Sequence, residues 1–389
     1  MLRTTRRRVM ALGAATVMAA ALPAQAQQDE IVIGGSIPLT GVFAFAGIAI
    51  EAGMTDYIKY VNDNGGINGR TLRLAYEDTG YQVDQSVAVF NRLNSQNDMT
   101  FYYGDSTGFS RTINSELNRS GDMIMAGASF ASEINDPEAF PLQFMAGPDY
   151  TEMTSILLEY IAAEQPGARV MLVNSDTEFG RDPIEGTQAR AAELGLEIVE
   201  TIITPPGSVD VSTEILKMRR ARPDYAIFHG YIFAPIPEFL SQARQLGLDT
   251  KFMGTFWSMD NSLWASVGEE ADGFMGVMPY RYYYDTEDAP MLDYIRSVRP
   301  EYQSTGYMQG FLTAMLFAEA AKRALDAGQE LNGANLKAAL NSIEDFDTGG
   351  LIGVPISVPG NSVPVGRVYQ FDAAAGQMLA VSDWINLQE

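Results

Sequence analysis

Gly104-Asp105-Ser106-Thr107-Gly108 is the stretch in which residue type and spacing most directly suggest chemistry. An apolar run precedes it and a helical pattern begins near Ser110, so it forms a strand-to-helix turn. Hydroxyls beside the free N–H groups of a helix start favour an anion such as a carboxylate. The same five residues also satisfy Gly-x-Ser-x-Gly, the nucleophile elbow of α/β hydrolases. The single histidine of the chain, His229, follows Ser106 in the order that such a hydrolase requires. Further α/β units follow His229, however, which is unlike a triad histidine near the end of its domain. Simpler roles exist for each residue: Ser106, Thr107 and Ser110 cap a helix, and His229 ends a strand with an ordinary hydrogen bond.

Other chemistries are not represented. The chain holds no Gly-x-x-x-x-Gly-Lys-Ser/Thr phosphate loop and no clean Gly-x-Gly-x-x-Gly fingerprint. One histidine and no cysteine exclude the usual zinc sites. Asn62-Asp63-Asn64-Gly65 has the oxygen content of a cation loop, but such a cluster reads more simply as a turn. Lys217-Met218-Arg219-Arg220 is a short, isolated basic run of the kind found on a solvated helix face.

The elements that must position these residues alternate between strand and helix, the pattern of parallel α/β sheets. Strands are predicted over 31–35, 71–77, 100–104 and 123–126, then 169–174, 197–203, 225–229, 251–255 and 274–279. Gly195 and Gly247 suit helix ends. A short helix is expected over 290–299 and a long apolar one over 307–327; the Val-, Pro- and Gly-rich tail from Leu351 suits short antiparallel strands. Ligands in open α/β sheets bind outside the carboxyl ends of the strands. In the first half those ends carry Phe43 and Phe45, then Ser106 and Thr107, then Ala128, Ser129 and Phe130. In the second they carry Asp176, Thr177 and Phe179, then His229, Gly230 and Tyr231, then Phe256 and Trp257; Tyr307 opens the long helix. Two such faces opposed across a hinge would make an aromatic-lined pocket with a few polar groups.

Two further stretches carry a family resemblance. Gly35-Ser36-Ile37-Pro38-Leu39-Thr40-Gly41 follows the apolar Ile31-Val32-Ile33. After a helix-length segment comes Asn62-Asp63-Asn64-Gly65-Gly66-Ile67-Asn68-Gly69-Arg70, which leads into a strand ending at the acids Glu77 and Asp78. This strand, loop, helix, Gly-Gly-Ile-x-Gly-Arg turn, strand succession resembles the leucine/isoleucine/valine-type periplasmic binding proteins, the solute receptors of ABC importers. The resemblance runs through most of the chain. It implies an α/β fold of the type I periplasmic binding class, with two Rossmann-like lobes joined by a three-crossover hinge. The first lobe would comprise residues 27–147 and 281–348, and the second 148–280 and 349–389.

The resemblance also implies roles. The Ser106-Thr107 loop and the one matching Ala128-Ser129 would hold the carboxylate of a ligand. Asp176-Thr177-Glu178-Phe179-Gly180 matches a segment whose aromatic residue covers the ligand, and Tyr231 and Tyr307 stand where relatives place cleft tyrosines. Relatives that bind α-amino acids carry an acid soon after the strand ending near Thr255; here the run is Phe256-Trp257-Ser258-Met259-Asp260. A buried ammonium without a partner is costly, so an aromatic or hydrophobic acid is favoured, with a branched-chain amino acid next. Cation–π contact with Trp257 would be the remaining support for an amine. The expected protein is a monomeric solute receptor that hands its ligand to a membrane permease, with no catalysis, cofactor or metal. A secreted serine hydrolase using Ser106 and His229, or a ligand sensor of the same fold, are the alternatives.

Residues 1–26 read as an export signal: Arg3, Arg6, Arg7 and Arg8, an uncharged run from Val9 to Leu22, then Ala24-Gln25-Ala26 for cleavage. Thr5-Arg6-Arg7-Arg8-Val9-Met10 fits a twin-arginine signal as well as an ordinary Sec one. No cysteine stands near the cleavage site to take a lipid anchor, so a soluble periplasmic product is expected. Removing this segment leaves 363 residues, enough for two lobes, and lowers the net charge from −23 to −27 because it carries four arginines and no acids. Such a body repels nucleic acid and anionic lipid. Without cysteine it forms no disulfide, whereas many members of the resembled family carry one in the first lobe.

Overall fold

The computed structural model describes residues 30–205 and 207–388. The expected export signal over 1–26 lies outside the described residues. Four strands, β1 (Ile31–Ile37), β2 (Leu72–Asp78), β3 (Met99–Gly104) and β4 (Ile124–Gly127), form a parallel sheet in the order β2-β1-β3-β4. A second sheet holds β5 (Arg169–Ser175), β6 (Glu197–Thr204), β7 (Tyr225–His229), β8 (Lys251–Gly254), β9 (Met275–Met278), β10 (Val365–Asp372) and β11 (Gln377–Asn386). Its order is β11-β10-β9-β8-β7-β5-β6, parallel through β9 and antiparallel where the tail adds β10 and β11.

The helices are α1 (Ala44–Asp63), α2 (Val83–Gln96), α3 (Thr107–Ser120), α4 (Tyr150–Glu164), α5 (Glu178–Arg181), α6 (Ile184–Glu193), α7 (Ser212–Ala221), α8 (Ile236–Gln245), α9 (Asn261–Val267), α10 (Pro290–Val298), α11 (Thr305–Asp326) and α12 (Gly333–Asn341). The central strands are apolar because helices cover both faces: every residue of β1 and β7 is buried. Aromatic contacts fill the two cores. Phe101 and Phe144 pack on Phe317 beside the first sheet, and Phe228 packs on Phe239 and Phe252 beside the second.

Helices α1 and α11 approach each other closely through glycines. A Cβ on Gly53 would lie 2.1 Å from the Tyr307 carbonyl oxygen, and one on Gly310 would lie 2.3 Å from that of Ile50. Only hydrogen fits at either position. The contact sets the rotation of α11, and with it the direction of Tyr307.

Strand order determines where a crevice can form. In the first sheet the connections run one way from β1 to β2 and the other way to β3. In the second they part between β5 and β7. Loops leaving the carboxyl ends on either side of such a reversal diverge and leave space between them. The two reversals thus single out the loops after β1, β3, β5 and β7.

Candidate functional site

On the first-sheet side, β3 delivers Asp105 and the start of α3. Ser106 caps the helix: its Oγ accepts from the Phe109 N–H at 3.2 Å and donates to Asp105 Oδ1 at 2.9 Å. The first-turn N–H groups of a helix have no intrahelical acceptor, so Thr107 and Gly108 bring donors to the cavity wall. Thr107 Oγ1 lies 2.8 Å from Ser129 Oγ, which links the loops after β3 and β4. Asp105 is fully buried, and burial pushes its carboxyl above the usual range against the pull of hydroxyls from Ser86, Thr79 and Ser106. It is an internal tie, saturated by its own neighbours. Asp78 is another tie: its Oδ1 accepts from the N–H groups of Leu39, Thr40 and Gly80, and its Oδ2 from Thr40 Oγ1, which fastens the β1 loop to the β2 loop.

On the second-sheet side, Thr177 caps α5, and His229 ends β7 beneath it. His229 Nε2 lies 2.9 Å from the Phe179 carbonyl oxygen, which can only accept, so Nε2 carries the proton and Nδ1 accepts from Thr255 Oγ1 at 2.9 Å. Its ring packs on Tyr150 and Phe179, and burial pushes its pKa down to about 3. His229 is a neutral brace for the backbone of Phe179. It does not bond to Ser106, whose hydroxyl proton goes to Asp105, so the two are not joined as a hydrolase pair. Gly230 has φ +88°, and a Cβ there would lie 2.4 Å from Gly180 Cα, so the loops after β5 and β7 touch through glycine.

Between these sides lies a cavity of about 810 Å3. Phe43, Phe45, Ser106, Thr107, Phe179 and Tyr231 all line it, and they come from the loops after β1, β3, β5 and β7 and the helix starts that follow them. A second, small space of about 20 Å3 lies beside it, walled in part by the buried Ala128, Ser129 and Trp257. Two expected cleft residues are elsewhere. Phe256 is fully buried among Phe130, Trp257 and Tyr280, because β8 lies one strand outside the reversal. Tyr307 faces α1, where its hydroxyl donates to Asp56 Oδ2 at 2.9 Å beside Arg299. The close α1–α11 packing turns it away from the cleft.

Several wall residues escaped sequence reasoning. Tyr81 has φ 62°, an uncommon conformation for an aromatic residue, and stacks on Phe43 at 4.8 Å. Val83 follows it, and Ile232 and Phe233 follow Tyr231. The signal for them in the sequence is their place just beyond the carboxyl ends of β2 and β7. Among the described residues Glu178 is the one acid on the wall of the larger cavity, and Arg111 Nη1 pairs with it at 2.8 Å. No group of acids or histidines arranged to hold a metal ion occurs among the described residues, and no helix among them is long and apolar enough to cross a membrane.

Comparison with known proteins agrees with this fold. The leucine-, isoleucine-, valine-, threonine- and alanine-binding protein of Pseudomonas aeruginosa is 21% identical over 309 residues, covering 78% of this chain and 80% of that protein. A branched-chain amino acid ABC transporter structure from Thermus thermophilus with bound valine superposes with a TM-score of 0.81 at 23% identity, covering 92% of this chain and 97% of that one. A solute-binding protein of an ABC transporter from Rhodopseudomonas palustris, in complex with 3,4-dihydroxybenzoic acid, superposes at 0.75 with 19% identity, covering 92% and 98%. The architecture is that of the type I periplasmic binding proteins. The sequence profile described as "Periplasmic binding protein" matches residues 30–377, nearly the whole described chain, and the chain belongs to that family.

Proposed function

We propose that the protein is the periplasmic receptor of an ABC importer, and that it captures a small apolar carboxylate without an ammonium group. Two lobes, one around each sheet, would close on the ligand by hinge motion and present it to the permease unchanged. The family match and the names of the relatives support the receptor role. At this distance they do not choose the ligand: the structure with valine superposes at a TM-score of 0.81 and that with an aromatic acid at 0.75, and the named relatives are amino-acid-binding proteins.

The ligand class rests on one observation: no acid on the cavity walls is free to pair with an ammonium. Asp105 is saturated by three hydroxyls. Glu178 is paired with Arg111. Asp260, the nearest acid after β8, caps α9 through the Ser262 N–H and is turned toward Thr305. A desolvated ammonium would have only Glu178, exposed and already paired with Arg111, as counter-charge, whereas a carboxylate finds the start of α3.

Thermal unfolding with added solute tests this reading. Phenylacetate or benzoate at about 100 times Kd should stabilise the protein by about 2.7 kcal/mol, read as a rise of several degrees in Tm. Leucine and valine should give no shift. A shift with leucine or valine alone would overturn the ligand reading.

A further inference from the structure

The two spaces in the cleft differ greatly in size. The inner one, about 20 Å3, has room for about one water molecule. The outer one, about 810 Å3, lies within the range that encloses drug-sized ligands. Phe43, Tyr81, Ser106, Thr107 and Phe179 belong to both walls, and at this junction Phe43 stacks on Tyr81 and meets Trp257 edge-on at 4.9 Å, from the opposite side of the cleft. Outward of Phe43 the wall is apolar on both sides, with Val42, Phe45 and Val83 facing Ile232 and Phe233. A ligand the size of one amino acid would leave most of this apolar wall against water and forgo its burial.

Resting on the reading of the ligand as a carboxylate without an ammonium, we propose that the solute is an elongated amphiphile. Its carboxylate sits at the Ser106-Thr107 turn, and a medium-chain acyl or arylalkyl body runs outward past Phe43 between the two apolar walls. The outer chamber, rather than the small inner space, then selects by length.

Calorimetric titration of the protein with butanoate, hexanoate, octanoate and decanoate tests the length rule, with phenylacetate and phenylbutanoate as the aryl arm. Each methylene buried should tighten Kd about fourfold, from about 0.8 kcal/mol per CH2 and 1.4 kcal/mol per tenfold. Preference for octanoate or for phenylbutanoate tells the acyl source from the arylalkyl one, and either supports the proposal. Ile232→Trp, which narrows the outer chamber, should weaken octanoate about tenfold or more and butanoate much less. Val83→Trp does the same from the opposite wall and serves if the first variant fails to fold. Equal affinity at all lengths overturns the proposal and leaves the carboxylate reading standing. Binding of valine with no carboxylate bound, or binding of none of these probes, overturns both.

Discussion

Arg111 on α3 places Nη1 2.8 Å from Oε2 of Glu178, the first residue of α5, so an ion pair joins the loop side of the first sheet to that of the second. Arg111 also pairs with Glu133, and a few residues away Asp182 Oδ2 accepts from the N–H and Oγ of Ser132. Side-chain exposures of 35% and 68% put the Arg111–Glu178 pair in the surface class, worth about 0.2–1 kcal/mol. Under the proposed hinge closure it would trim the balance between open and closed forms without dominating it.

Glu178→Gln should therefore shift the ligand-free protein toward the open form by at most about fivefold in the equilibrium constant. Small-angle scattering reads this as a larger radius of gyration at low salt. At about 1 M salt, where screening acts within about 3 Å, wild type and variant should coincide. An equal difference at both salt concentrations would mean that the pair does not act through charge.

His229 gives a prediction of opposite character, because it is held neutral. As the one histidine of the chain, it supplies an unambiguous imidazole NMR signal. That signal should not titrate between about pH 5 and 8, since burial pushes the pKa down to about 3. The unfolded chain, with an ordinary histidine, binds a proton first as pH falls. Stability from this site is thus complete above about pH 6.5 and drains as pH falls toward 3. His229→Gln should flatten that part of the stability curve. A titration midpoint near 6.5 would show the ring to be solvated.

Much of this was readable in the sequence, for local reasons. Ser106 and Thr107 could be placed because turn chemistry and helix capping act over a few residues. Parallel α/β architecture followed from the alternation of apolar runs and helical segments. Strand order is another matter, since it is set by contacts between distant segments. Without the reversal between β5 and β7, Phe256 after β8 looked equivalent to Tyr231 after β7. Tyr307 needed still more: the close fit of Gly53 and Gly310, on helices far apart in sequence, turns it toward Asp56.

That fit is itself testable. Gly310→Ala would put a methyl group 2.3 Å from the Ile50 carbonyl oxygen, and neither helix backbone can yield cheaply. Overpacking of this kind costs about 1–3 kcal/mol, so Tm should fall by several degrees. Kd for the bound solute should stay within about twofold, because α11 faces away from the cleft. An unchanged Tm would mean that the helices are free to separate.

A cluster of carboxylates at the start of α4 should make stability depend on pH in the sense opposite to His229. Asp149 caps α4 in a reciprocal box: its Oδ1 accepts from the Glu152 N–H at 2.8 Å, and Glu152 Oε2 accepts from the Asp149 N–H at 2.7 Å. Burial raises both carboxyls above the usual range; the Asp149 charge raises Glu152 further, and the Asp182 charge does the same to Asp149, Asp182 being itself raised by burial. Asn135 donates to both carboxylates and Ser362 to Glu152, and Arg111 lies beyond Asp182 as the neighbouring cation. Because the folded state holds these protons more tightly than the unfolded chain, the site's contribution is complete below about pH 4 and is lost as pH rises toward neutrality. Asp149→Asn keeps a good cap and removes one charge, so Glu152 should return toward the ordinary range. The variant's Tm should then fall less than that of wild type between about pH 4.5 and 8, where each full proton of difference is worth about 1.36 kcal/mol per pH unit. Parallel curves for the two proteins would show that Asp149 and Glu152 are ionised together in the folded state, with the surrounding donors outweighing burial.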